Sequence, residues 1–236
     1  MNSRLAVIPA RGGSKRIPRK NIRAFAGRPM IGYAIDLART SGLFDHVVVT
    51  TDDADVAQIA RQAGAEVPFM RPADLSGDLT PTVPVVAHAI RACRDLGWRV
   101  DTVCCIYPAV PLLRVNDLTA ALIMLEECDA PYVFPVLAYR SPIQRALRRD
   151  AGGRSAPFHP EHAQTRTQDL PRAYHDAGQF YWGRASSWLD GLALHADART
   201  LVLDEGSAVD IDTPADWALA EALFEARRAH PKAPTP

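Results

Sequence analysis

A glycine-rich, strongly basic segment near the start of the chain is the part of the sequence best suited to bind phosphate. Residues 9–21 are Pro-Ala-Arg-Gly-Gly-Ser-Lys-Arg-Ile-Pro-Arg-Lys-Asn, and five of residues 11–20 are lysine or arginine. The paired glycines Gly12 and Gly13 let backbone amides approach phosphate oxygens closely, and the basic side chains supply compensating charge. The segment therefore predicts a phosphate site, and a basic surface loop without a ligand is the alternative.

Two common phosphate-binding loops do not fit this segment. It lacks the GxxxxGK[ST] pattern of a P-loop, and it lacks the GxGxxG pattern of a dinucleotide site. Its place after the short apolar run 5–9 is nevertheless typical of nucleotide sites, which lie at the carboxyl ends of strands in open parallel sheets. The sequence thus favours a nucleotide site of a third kind.

Two aspartates near the other end of the chain have the spacing of metal ligands. Asp210 and Asp212 are two residues apart, and on a strand both carboxylates would point to one face. Paired carboxylates suit a hard divalent cation. The alternative for Asp212 is a role in capping the last helix, which is predicted to begin at Thr213 with Asp216 close to a capping box.

The elements that must position these residues alternate between short apolar runs and helical periodicity, the pattern of a parallel sheet with crossover helices. Strands are predicted at 5–9, 47–50, 67–70, 103–107, 132–137, 179–183, 200–203 and 208–211. Helices are predicted from Pro29, from Asp52 or Asp53 to Gly64, over 86–93, from the cap Asn116, and from Thr213. The predicted fold class is α/β, a mostly parallel sheet flanked by helices.

One region departs from this regular pattern. Residues 139–172 are rich in proline, glycine, arginine and histidine, and Gly152-Gly153 marks a turn. We expect an inserted arm of extended segments, with a hairpin, inside a single domain over residues 1–230. Residues 231–236 are expected to be a disordered tail.

Composition limits the classes of function. Lysine plus arginine and aspartate plus glutamate each number 27, so there is no global basic field and no nucleic-acid partner is expected. No apolar run is long enough for a membrane span or a signal peptide, which predicts a cytoplasmic protein without a membrane partner. The four cysteines have neither CxxC nor zinc-type spacing, so reduced, buried thiols are expected.

Several segments resemble the cytidylyltransferases that activate nonulosonic acids, the acylneuraminate family. Residues 9–21 match that family's opening signature, Pro-Ala-Arg-Gly-Gly-Ser-Lys-Arg-x-Pro-x-Lys-Asn, at every specified position. The resemblance continues at residues 50–53, 71–76, 168–171 and 210–214, and so covers nearly the whole chain. Residues 15–22, 142–147 and 174–182 are most similar to the branch of the family that acts on pseudaminic acid.

The resemblance implies a Rossmann-like nucleotidyltransferase fold and a reaction between CTP and an acidic nine-carbon sugar. The anomeric hydroxyl would attack the α-phosphorus in line, and pyrophosphate would leave, so positioning and charge neutralisation would supply most of the rate. Arg11, Lys20 and Asp212 are the implied catalytic residues, and Asp210 and Asp212 would hold Mg²⁺ or another divalent cation. The implied nucleotide-binding residues are Ala10, Arg11, Gly12, Gly13, Ser14, Lys20, Asn21 and Arg71.

The sugar carries a carboxylate, so a basic residue should face it. Arg166, just ahead of Gln168-Asp169-Leu170-Pro171, is the first candidate, and Arg145 is the second. Gln179 and Tyr181 lie in the segment that lines the sugar pocket in relatives. His175 either donates to the sugar or is structural.

One position separates the chain from many sialic acid relatives. Tyr107 stands where those relatives have a glutamine that helps to hold the nucleotide, and this favours pseudaminic acid over sialic acid. The same reaction on N-acetylneuraminic acid, legionaminic acid or KDO stays open, as does a non-catalytic nucleotide-binding homologue. Relatives use the arm to dimerise, so the resemblance also implies a homodimer.

Overall fold

The computed structural model describes residues 2–229, so the predicted tail 231–236 lies outside the described residues. The strands are β1 (Arg4–Pro9), β2 (Ala24–Phe25), β3 (Arg28–Pro29), β4 (His46–Thr50), β5 (Thr102–Ile106), β6 (Tyr132–Ala138), β7 (Leu147–Arg149), β8 (Ser155–Pro157), β9 (Tyr174–Asp176), β10 (Phe180–Arg184) and β11 (Arg199–Val202). The helices are α1 (Ile31–Thr40), α2 (Ala54–Gln62), α3 (Thr82–Asp95), α4 (Val115–Glu126), α5 (Ala185–Leu189) and α6 (Pro214–Ala229).

A seven-stranded sheet forms the centre of the structure, with strand order β11-β6-β10-β5-β1-β4 and β9 paired to β6. Strand β1 runs parallel to β4 and β5, and β11 runs parallel to β6. Strands β10 and β9 are antiparallel to their neighbours. The predicted α/β fold with a mostly parallel sheet is confirmed.

The central strands are continuous apolar runs because helices cover both faces of the sheet. On β1, Ala6 and Ile8 pack in one core cluster with buried residues of α1, α2 and α4, whereas Leu5 and Val7 pack in the other with α3 and α5. Cys104 and Cys105 face opposite clusters in the same way. All four cysteines are free, and Cys93, Cys104 and Cys105 are buried as expected, whereas Cys128 is only partly buried.

A third, smaller core joins the two ends of the chain. Ile17 and Phe25 from the N-terminal region pack with Ile211 and Trp217 from the C-terminal region. The rings of Phe25 and Trp217 meet edge to face with centroids 5.3 Å apart. This small core holds the basic segment against the start of α6.

Two predicted strands are wrong. Among the described residues, 67–70 pair with no strand, and the neighbouring contact is an isolated bridge between Glu66 and Val48. Pro68 cannot donate a ladder hydrogen bond. Residues 208–211 have no strand because their apolar side chains belong to different clusters, with Ala208 beside Leu203 and Ile211 in the third core.

Helix starts were predicted with mixed success. The Asp53 carboxylate caps α2 by accepting from Val56 N at 3.0 Å, as one of the two predicted caps. Asn116 is not a cap, because α4 begins at Val115 after an extended residue. Pro29 lies in β3, one residue before the N-cap of α1.

The predicted arm contains the short hairpin β7–β8, which turns near Gly153 at a φ of +85°. Single turns of 3₁₀ helix at Ile143–Arg145, Pro160–His162 and Thr167–Asp169 make up much of the rest. Leu147 and Phe158 are exposed there. Among residues 2–229, no helix is both long and apolar enough to cross a membrane.

Candidate functional site

A cleft of about 480 Å³ opens at the carboxyl ends of β1 and β5. Its walls come from both ends of the chain and from the middle. The lining residues are Pro9, Arg11, Ser14, Lys15, Arg16, Lys20, Asn21, Arg71, Asp78, Thr80, Thr82, Val85, Tyr107, Pro108 and Asp212. Arg11, Ser14, Lys20, Asn21, Arg71 and Asp212 were expected from the sequence, and the structure brings them to one site.

The glycine-rich turn is held from behind by the acidic pair that follows β4. Gly12 N donates to Asp52 Oδ1 at 3.1 Å, and Arg71 Nη2 donates to the same oxygen at 3.3 Å. The side chain of Asp53, fixed as the cap of α2, lies so close that a Cβ on Gly12 would meet its Oδ2 at 2.4 Å. Gly12 is therefore required by close approach, whereas a Cβ on Gly13 would meet nothing within 4 Å.

Asn21 ties the two ends of the basic segment together. Its Nδ2 donates to the Arg11 carbonyl at 2.9 Å, and its side chain is almost completely buried. Within the described residues, Asn21 Oδ1 and Arg71 Nε are buried without a hydrogen-bond partner. Burial also lowers the pKa of Arg71, against the opposing effect of Asp52. Both groups can satisfy these free positions by binding a ligand in the cleft.

Lys20 and Asp212 join the two sides of the cleft. Lys20 Nζ donates to the Ile211 carbonyl at 2.5 Å and to Asp212 Oδ1 at 3.3 Å, and Arg16 pairs with Asp212 Oδ2 at 2.8 Å. The helix itself is capped by Thr213 and Asp216, which exchange side-chain to backbone hydrogen bonds as predicted. Capping therefore does not account for the Asp212 carboxylate, which faces cations in the cleft.

Asp210 lies beside this pair, although it is not on a strand and does not line the cleft itself. It packs against Gly178, where a Cβ would meet Asp210 Cγ at 3.2 Å. Burial, and then the charge of Asp212, raise the pKa of Asp210. The residue as a whole is nevertheless exposed, so its carboxyl group is accessible to a cation from solvent.

This donor set fits a divalent cation that also takes ligands from a substrate. Two neighbouring carboxylates raise each other's pKa because their negative charges repel, and a bound cation offsets that repulsion. Within residues 2–229, no group of three or more histidine, cysteine, aspartate or glutamate side chains could hold a metal. Mg²⁺ is commonly bound by one or two carboxylates together with phosphate oxygens and water, and Asp210 and Asp212 would be the two carboxylates of such a site.

Three residues expected to bind the sugar lie elsewhere. Arg145 and Arg166 are exposed in the arm, and among the described residues neither lines the cleft. Arg145 Nη2 donates to the Thr165 carbonyl at 2.8 Å. His175 lines a separate cavity of about 490 Å³ beside α6, and its ring packs edge to face on Tyr139.

Gln179 and Tyr181 are core residues behind the cleft wall. They are 1% and 3% exposed, respectively. Gln179 Nε2 donates to the Ser207 carbonyl at 3.3 Å, and the Tyr181 hydroxyl donates to Asp176 Oδ2 at 2.6 Å. In the wall itself, Tyr107 packs against Tyr181 with ring centroids 5.4 Å apart.

Sequence reasoning missed part of the cleft wall. The Tyr107 hydroxyl is hydrogen-bonded to Thr82 Oγ1 at 2.9 Å, and Thr80 and Asp78 complete this side. Ala10, an expected nucleotide-binding residue, is fully buried beneath the turn. The sequence pointed to this part of the wall only through Tyr107, which stands where many sialic acid relatives have a glutamine. A threonine or an aspartate in a loop has no diagnostic spacing.

Comparison with known proteins decides the family. A model of the cytidylyltransferase family, described as "Cytidylyltransferase", matches residues 5–187. The chain belongs to that family. It is 38% identical over 222 residues to a pseudaminic acid cytidylyltransferase of Campylobacter jejuni, covering 94% of this chain and 96% of that one. It is 32% identical over 231 residues to the CMP-N,N'-diacetyllegionaminic acid synthase of Legionella pneumophila, covering 94% and 96%.

A solved structure has the same fold. It is a CMP:2-keto-3-deoxy-manno-octonic acid synthetase complexed with CTP, which superposes with a TM-score of 0.70 at 20% identity over 96% of this chain and 100% of that chain. The charge of the cleft is that expected of a cytidylyltransferase. Its lining has five cationic side chains and two carboxylates, so it attracts an anion although the whole chain has no net charge.

Proposed function

We propose that this chain transfers CMP from CTP to the anomeric hydroxyl of a nonulosonic acid, with pseudaminic acid favoured, and releases pyrophosphate. The observation that carries the proposal is the meeting of the basic segment and Asp212 in one cleft of a cytidylyltransferase. The preference for pseudaminic acid is supported by the Campylobacter jejuni relative, which matches over nearly the full length of both chains.

The basic segment supplies the phosphate contacts in this proposal. Arg11 and Lys20 neutralise the triphosphate, and the amide of Gly13 approaches its oxygens. The amide of Gly12 could do so only by leaving Asp52 Oδ1, to which it donates at 3.1 Å. Little covalent chemistry is needed from the protein, because positioning and charge neutralisation account for most of the catalysis of such transfers. Asn21 Oδ1, which lacks a partner among the described residues, accepts a hydrogen bond from a ribose hydroxyl, and Arg71 lies near the base.

A divalent cation, with Mg²⁺ favoured, is the proposed cofactor. Asp210 and Asp212 would hold it, and when bound it would lower the pKa of the attacking hydroxyl and screen phosphate charge. Lys20 and Arg16 keep the Asp212 carboxylate in place from the basic segment, at 3.3 and 2.8 Å. These pairs orient one ligand before any cation or nucleotide enters.

The sugar site is proposed to be completed by a second copy of the chain. Arg166 and Arg145 lie in the arm, away from the cleft of their own chain, so they can face the sugar carboxylate only if the arm reaches a partner's cleft. A homodimer would provide this arrangement. Gln179 and Tyr181 would then support the sugar indirectly, by packing behind the wall of the cleft. His175 would lie at the base of the arm.

The test is pyrophosphate release from CTP and Mg²⁺ with a panel of acidic sugars. Release with pseudaminic acid at the highest kcat/KM is the expected result. Faster release with legionaminic acid, N-acetylneuraminic acid or KDO would keep the reaction and change the sugar. CTP binding without release on any sugar would instead favour a non-catalytic nucleotide-binding protein.

A further inference from the structure

The cationic groups of the cleft already have an anionic partner within the chain. Asp78 accepts hydrogen bonds from both Arg11 and Lys15, one on each carboxylate oxygen. All three side chains line the cleft. Arg11 and Lys15 belong to the basic segment, so the Asp78 carboxylate occupies a position where a phosphate would make similar contacts.

This carboxylate is ionised under ordinary conditions. The hydrogen bonds from Lys15 and Arg11 lower the pKa of Asp78, so the group stays negative throughout the neutral range. A carboxylate on Arg11 Nη1 and Lys15 Nζ disfavours a triphosphate on the same two groups, because the two anions repel each other at close range. Binding of a phosphate to these groups therefore competes with Asp78.

The segment that carries Asp78 can move without disturbing the sheet. It is anchored at one end by the Arg71 amide, which donates to the Thr51 carbonyl at 2.8 Å, and at the other end by the start of α3. Between these points the tip is a turn closed by Thr80 N and the Gly77 carbonyl at 3.3 Å. Leu79, at the tip, is 94% exposed, so displacement of the tip breaks no apolar packing by this residue.

We infer that Asp78 is an affinity-determining residue that competes with the phosphates of the nucleotide for Arg11 and Lys15. The inference rests on the proposed function and deepens it. The Asp78 carboxylate holds the two cations, and CTP must displace it to use the same groups. A ligand that binds only the displaced state has its apparent affinity reduced by the fraction of protein in that state.

The test compares ligands with and without phosphate on Asp78→Asn and on the unmodified protein. The asparagine is nearly isosteric but uncharged, so its hold on Arg11 and Lys15 is weaker. We expect CTP and inorganic pyrophosphate, each with Mg²⁺, to bind the variant about three- to tenfold more tightly, since partly exposed ion pairs are individually modest. Cytidine, which has no phosphate, should bind both proteins equally. Calorimetry measures the first two ligands and an NMR titration the third.

Asp55→Asn is the matched control. Asp55 also pairs with an arginine of the basic segment, Arg19, at 2.8 Å, but neither residue lines the cleft. This control should leave CTP and pyrophosphate affinity unchanged and so exclude a general effect of removing one negative charge. Thermal unfolding of each variant checks that the fold is retained.

The outcomes separate this inference from the proposed function. CTP and pyrophosphate affinities that are unchanged or weaker in Asp78→Asn would overturn the competition, while leaving CTP binding itself intact. An equal gain for cytidine would also overturn it, because cytidine has no phosphate to compete. Failure of both proteins to bind CTP and pyrophosphate would overturn the nucleotide site, and with it the competition.

Discussion

At the scale of single residues, the carboxylate of Asp212 is held among charged neighbours. It faces the cleft and pairs with Arg16 and Lys20, and its negative charge helps to raise the pKa of Asp210. None of these contacts is part of the main hydrophobic core. A conservative change at this position should therefore affect the chemistry far more than the fold.

We predict that Asp212→Asn lowers kcat for pyrophosphate release by about 100- to 1,000-fold, the usual order for removing one group that stabilises developing charge. The melting temperature should stay close to that of the unmodified protein. Asp36→Asn is the control, because Asp36 also pairs with an arginine but lies on the outer surface of α1. Near-normal turnover in Asp212→Asn would remove this residue from the proposed metal site.

Single residues also show where sequence reasoning succeeds. The cap at Asp53 and the pair Thr213 and Asp216 were predictable, because capping depends on contacts three residues apart in the chain. Asp52 was not predictable as the acceptor for Gly12, and Asp78 was not predictable as the partner of Arg11. Those contacts join residues about 40 and 67 positions apart, and no local pattern records them.

At the scale of elements, the glycine-rich turn and the start of α2 form one unit. The turn lies directly against Asp53, which is held as the cap of α2 and bonded to Arg19 at 2.8 Å. The cap cannot swing away without leaving the Val56 amide unpaired. The two adjacent glycines should consequently differ greatly in their tolerance of a side chain.

We predict that Gly12→Ala lowers the free energy of unfolding by about 1–3 kcal/mol, the usual cost of forcing atoms into a packed site. CTP affinity should fall as well, because the turn must shift. Gly13→Ala is the matched control and should be nearly neutral for stability, since its Cβ would enter open space. Thermal and urea unfolding measure both variants. Equal stability of the two would contradict the close approach to Asp53.

The secondary-structure elements also show where sequence patterns fail to predict the structure. The strands at the centre of the sheet, such as β1 and β5, were predictable because burial on both faces makes their sequences continuously apolar. The largely exposed strand β9 of the same sheet was not predicted. Residues 67–70 are also apolar, as are residues 208–211 apart from Asp210, yet neither segment forms a strand. Their side chains pack in ways set by distant elements, and a short apolar run has no periodicity that distinguishes a buried loop from a strand.

At the scale of the whole molecule, the third core brings the two ends of the chain together. Phe25, Ile211 and Trp217 pack in it, and the basic segment and Asp212 meet in the cleft beside it. The family resemblance predicted this convergence. The position of the arm relative to a partner could not be derived, because no contact within one chain determines it.

The arm supports a prediction about assembly. We expect a solution mass of about twice 25.8 kDa, measured by light scattering. Replacing the exposed arm residues Leu147 and Phe158 together by serine should shift the protein toward the monomer and reduce sugar-dependent turnover more than CTP affinity. Ile123→Ser, at an exposed apolar position on α4, is the control. A monomeric mass for the unmodified protein would reject the shared sugar site.

The most direct test of the account is a crystal structure of the protein with CTP and Mg²⁺, without sugar. It should show the triphosphate bound by Arg11 and Lys20 on one side, with the cation on Asp210 and Asp212 at the other. Asp78 should have left Arg11. CTP bound outside this cleft, or bound in it without contact to either end of the chain, would contradict the proposed site.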